Sequence, residues 1–119
     1  MIFPRFRSRE RDLRSDVERL STIGAAVDRA IADADNEMVG LAARLDDARS
    51  RAAFLFGDVI DGEHEGGSSG IAMVADAERF MVRGERRREE LARHRAVLDE
   101  IKQRIGIAIV DLSAESADP

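Results

Sequence analysis

LRSDVERLSTIGAAVDRAIADADNEMVGLAARLDDARSRAAFLFGDV, residues 13–59, is the stretch that decides the fold. Its apolar and small residues fall at spacings alternating between four and three: Leu13, Val17, Leu20, Gly24, Val27, Ile31, Ala34, Met38, Leu41, Leu45, Ala48, Ala52, Leu55 and Val59. A straight α-helix drifts against such a repeat, so a sustained 4-3 spacing predicts a supercoiled helix with one stripe turned to a partner. In heptad notation Val17, Gly24, Ile31, Met38, Leu45, Ala52 and Val59 take a, and the others take d. No proline interrupts the run. At a rise of about 1.5 Å per residue the helix is roughly 70 Å long. It cannot bury its own stripe and requires a surface of comparable length.

The sequence supplies one. Gly62, Gly66, Gly67, Ser68, Ser69 and Gly70 mark a turn near 61–70, with Ser68 or Ser69 as candidate caps of a second helix. A second 4-3 series follows: Met73, Ala77, Phe80, Gly84, Arg87, Leu91, His94, Leu98, Ile101, Ile105, Ala108 and Leu112. Gly84, Arg87 and His94 make it less regular than the first. Continuous helix is expected to about Ile105, with Gly106 a candidate stop. The organisation expected is therefore a basic, aromatic segment at 1–12, a helical hairpin at 13–112 and a polar tail at 113–119.

Charge supports the reversal. Reflection about residue 65 lays 83–95, which holds Arg83, Arg86, Arg87, Arg88, Arg93 and Arg95 against Glu85, Glu89 and Glu90, beside 35–47, which holds Asp35, Glu37, Asp46 and Asp47 against Arg44. Opposite net signs help choose orientation, although each exposed pair contributes only about 0–1 kcal/mol. The apolar seam must supply most of the stability. Replacing Leu41 or Leu45 with Asp places a charge in that seam and is expected to damage the assembly far more than losing one surface arginine. The fold class is thus all-α, a long antiparallel coiled-coil hairpin. Ile23, Val39, Phe54, Phe56 and Ile60, with many alanines, widen the apolar face, which is the pattern of a hairpin that dimerises as a four-helix bundle.

Composition bounds function. The chain has 119 residues, 24 acidic and 19 basic, a formal net charge of -5, five Phe, and no Trp, Tyr or Cys. One small domain without disulfides, thiol chemistry or cysteine-based zinc is expected. No apolar run approaches the roughly 20 residues that span a bilayer, and the first residues lack the apolar core of a secretory signal, so a cytoplasmic location is expected.

Few residues suggest chemistry. Asp58, Asp61, Glu63, His64 and Glu65 cluster near the turn, where carboxylates and an imidazole are suited to a hard cation, but neither the EF-hand nor the HExxH spacing is present. A solvated acidic turn is the favoured reading. His94 has no accompanying nucleophile or second ligand set and is read as structural; Arg87 is read as a long stem crossing the seam to reach solvent or an acid. Gly66 to Gly70 lacks the lysine of a phosphate loop. Neither enzyme activity, a cofactor nor a resident metal is expected.

The candidate interaction residues are Phe3, Arg5, Phe6, Arg7 and Arg9 in the amino-terminal segment, where cations and aromatics alternate, and Arg83, Arg86, Arg87 and Arg88 in the second helix. The seam residues are Leu13, Val17, Leu20, Val27, Ile31, Met38, Leu41, Leu45, Leu55, Val59, Phe80, Leu91, His94, Leu98, Ile101 and Ile105. The reading that follows is a coiled-coil scaffold or adaptor whose partners are itself and another helical protein. A nucleic-acid-associated helical protein is the alternative, weakened because Glu85, Glu89 and Glu90 interleave the arginines. A metal-dependent enzyme is the second alternative.

Overall fold

A computed structural model describes residues 8–61 and 67–117, with side chains described for 8–57 and 69–116. All the described residues except Ser8 are helical. Helix α1 spans Arg9–Asp61 and α2 spans Gly67–Ala117.

The start of α1 is set locally. Ser8 Oγ accepts the Arg11 N–H at 3.2 Å, and the Asp12 N–H donates to the Ser8 carbonyl at 3.0 Å. The hydroxyl satisfies one of the amides that no helical carbonyl can reach, and Glu10 and Asp12 set negative charge against the positive end of the helix dipole. Residues 9–12 therefore belong to α1.

Helix α2 is longer at both ends than its sequence suggests. Ser68 and Ser69 lie inside the helix, not at its cap, and only five residues, 62–66, separate α1 from α2. Gly70 is already buried, so packing in the first turns offsets the weak helix propensity of the Gly-Ser run. At the other end Gly106 does not stop the helix. A glycine inside a helix costs about 1 kcal/mol relative to alanine, whereas Ile105, Ala108, Ile109 and Leu112 are all partly buried on the turns around it and hold the helix in place to Ala117.

The chain divides into two compact units. Unit 1 combines Met1–Asp33 with Arg95–Pro119, and unit 2 is Ala34–His94. In unit 1, Val27 and Ile31 of α1 enclose Leu98 of α2, with Ala30 and Ile105 packed against them. In unit 2, Leu41 and Leu45 of α1 enclose Leu91 of α2, with Met38, Phe80 and Met81 at the edges. Ion pairs give the direction: Arg9–Glu115 and Asp28–Lys102 in unit 1, and Glu37–Arg87 and Arg49–Glu85 in unit 2, all advance along α1 as they retreat along α2. The fold is all-α, with α1 and α2 antiparallel within each unit.

The two helices contribute unequally to the seam. On α1 both heptad rows are buried or half-buried over the described side chains. On α2 the buried or half-buried row is Gly70, Ala77, Gly84, Leu91, Leu98, Ile105 and Leu112. The alternate row is covered only in places: Phe80 and Ala108 are half-buried, whereas Met73, Arg87, His94 and Ile101 are exposed. His94 and Ile101, expected inside the seam, thus lie at its edge. The reason is steric. Row 84/91/98 faces the gap between the two α1 rows, so the residues three positions further on turn out towards solvent.

Gly84 shows how close that approach is. A Cβ built there falls 2.3 Å from Leu45 Cδ2, so the leucine occupies the space a side chain would need. Leu45 is 2 % exposed and Leu91 1 % exposed.

Candidate interaction surfaces

Of the residues singled out in the amino-terminal segment, Phe3, Arg5, Phe6 and Arg7 lie outside the described residues, and so do the side chains of Val59, Asp58, Asp61, Glu63, His64 and Glu65. Arg9 opens α1 and pairs with Glu115 at 3.9 Å. Among the described residues no group of three His, Asp or Glu side chains is placed to hold a metal ion. Among the described residues no helix is long and apolar enough to cross a membrane.

Arg83, Arg86, Arg87 and Arg88 are all exposed on α2, but they are not equivalent. Arg87 makes a two-pronged contact with Glu37, Nε to Oε2 at 2.8 Å and Nη2 to Oε1 at 3.1 Å, and its Nη1 lies 3.5 Å from Glu90. The planar guanidinium matches the carboxylate edge to edge, which fixes geometry as well as charge. The Arg87 hydrogen bond holds the Glu37 carboxyl below the ordinary glutamate range; desolvation opposes it, and the charges of Arg87, Arg44 and His94 add to the lowering. The same contact raises Arg87. Arg88 lies 3.9 Å from Glu85, which also meets Arg49 at 3.8 Å. Arg83 and Arg86 make no ion pair among the described residues. Arg87 is thus engaged in joining α2 to α1, Arg88 lies beside Glu85, and Arg83 and Arg86 stay exposed to solvent.

Exposed apolar side chains form the stronger signal. Ile23, Val39, Phe54 and Phe56 are exposed on α1, as the width of its apolar face suggests. On α2, Ile71, Met73, Val82, Val97, Ile101, Ile107 and Val110 are exposed as well. Heptad reading of α2 placed Met73 and Ile101 in the seam and did not single out Ile71, Val82, Val97, Ile107 and Val110, because it sorts residues into seam and remainder and is silent on apolar side chains in the remainder. One signal was available. The run 105–110, IGIAIV, is apolar or small on every face of the helix, and a helix apolar all round is normally covered all round.

Against this geometry no family model matches the chain, and neither a curated protein nor a solved structure matches it significantly.

Proposed function

We propose that the chain is a cytoplasmic, non-enzymatic coiled-coil scaffold or adaptor, which assembles with itself, as a four-helix dimer, and offers helical surface to another helical protein. The observation that carries this reading is the exposure of large apolar side chains along both helices, Ile23, Val39 and Phe54 on α1 and Val82, Val97, Ile107 and Val110 on α2. Single exposed apolar residues are ordinary; this many on two helices that share a narrow seam are the mark of surfaces that work when covered. Two paired helices have one inner seam each, and a second pair laid against them buries the flanks that remain.

The mechanism is noncovalent. The seam keeps α1 and α2 paired, and the outward apolar residues bind or space partners. Sedimentation equilibrium of the full chain over a wide concentration range tests it. A shift from the 13.2 kDa chain mass to twice that value is expected. A single 13.2 kDa species at every concentration would sink the self-association.

A further inference from the structure

Unit 1 has two flanks where α1 and α2 meet, and they differ in kind. Positions e and g border an a/d stripe on opposite sides. At an e position Asp28 Oδ1 lies 2.8 Å from Lys102 Nζ, so that flank is bridged by charge. At a g position Arg9 meets Glu115 on the other flank. Two heptads inward from each of those residues, the antiparallel register sets Ile23 of α1 opposite Ile101 of α2. Both are exposed, at 52 % and 39 %. The corresponding g position in unit 2 is Glu37, bonded to Arg87. In unit 1 the equivalent place holds two isoleucines and no charge, with Val97, Ile107 and Ala108 on the neighbouring turns of α2.

We infer that a second copy of this chain docks on that Ile23–Ile101 flank of unit 1. This rests on the self-association proposed above and names the face that carries it. One observation favours a copy of the same chain: the charges beside the flank are self-complementary. Arg104 and Asp111 are one heptad apart on α2, and neither has an ion pair among the described residues. A two-fold axis passing near Ile107 and Ala108 brings Arg104 of each copy to Asp111 of the other, so one contact made twice satisfies both charges.

Solution mass of single variants tests the assignment. Ile23→Glu and Ile101→Glu change exposed residues and are expected to keep the helical circular dichroism while weakening the dimer by at least about tenfold, because each buries an unpaired carboxylate on docking. Asn36→Glu, on an exposed polar site of unit 2, should leave the dimer unchanged. Arg104→Glu and Asp111→Arg should each weaken it, and the double variant should recover it. If the unmodified chain dimerises but neither isoleucine variant affects it, the face is wrong and the scaffold reading survives. If the unmodified chain never dimerises, both fall.

Discussion

Unit 2 and unit 1 use the same heptad pattern on α1 but different complements on α2. In unit 2 the glycine is on α2 and the large residue on α1: Gly84 admits Leu45 so closely that a Cβ has no room. In unit 1 the roles exchange, with Gly24 on α1 opposite Ile105, and there a Cβ would lie 3.5 Å from Ile105 Cγ2, an ordinary contact. The result is visible in the cores. Leu45 and Leu91 are almost fully excluded from water, whereas Val27, Ile31 and Leu98 each retain 9 % exposure. Close approach plus a bidentate ion pair tightens the seam of unit 2. Unit 1 has a looser seam, and the flank holding Ile23 and Ile101 is the one proposed above for assembly.

The largest effect should come from breaking the tighter core. Leu45→Ala or Leu91→Ala removes a side chain that is nearly water-free and should cost about 2–5 kcal/mol, measured by urea denaturation, with Leu98→Ala in unit 1 nearer the lower end. Equal losses at Leu91 and Leu98 would erase the distinction between the cores. Next come the glycines, where the sign itself discriminates. Gly84→Ala must displace Leu45 and should destabilise by about 1–3 kcal/mol. Gly24→Ala has room and should stabilise by up to about 1 kcal/mol through helix propensity. The same denaturation experiment reads both.

Two smaller effects sharpen the picture. Ser8→Ala removes the α1 cap and should cost about 1 kcal/mol, seen as faster hydrogen exchange at the Arg11 amide with little change in unit 2. The Glu37–Arg87 pair should show as a pH dependence. Because the folded-state Glu37 carboxyl titrates below its unfolded value, its contribution is present above the ordinary glutamate range and is lost as pH falls through the lowered folded value. Comparing acid denaturation of the unmodified chain with Glu37→Gln checks this: the variant should lack that part of the acid loss. The effect is small because the pair is half-exposed and screened.

Much of this architecture is written in the spacing of α1. A residue at every 3.5 positions from Leu13 to Leu55 needs a helix and a facing partner, and a Gly-Ser run followed by a second periodic series leaves reversal as the economical answer. The same logic fails on α2 for a physical reason. Periodicity says which residues share a row, but the packing depth of each row depends on how closely the backbones approach, and that is set by Gly84 against Leu45. Hence His94 and Ile101 share a row with half-buried Phe80 and are themselves exposed. Local propensity misled at Ser68, Ser69 and Gly106 because packing along the helix outweighs a kcal/mol or so of backbone entropy. The Ile23–Ile101 flank was hidden until the antiparallel register was fixed, since the two residues lie far apart in sequence and belong to different repeats.

The most direct test of the account is the distance between copies. The chain has no cysteine, so Gln103→Cys, on an exposed position beside the proposed face, gives a single spin-label site. Double electron–electron resonance should show a defined coupling between copies that disappears on dilution with unlabelled chain and is abolished when Ile101→Glu is added. No coupling between copies, or coupling that Ile101→Glu leaves intact, would contradict the assignment of unit 1 as the assembling surface.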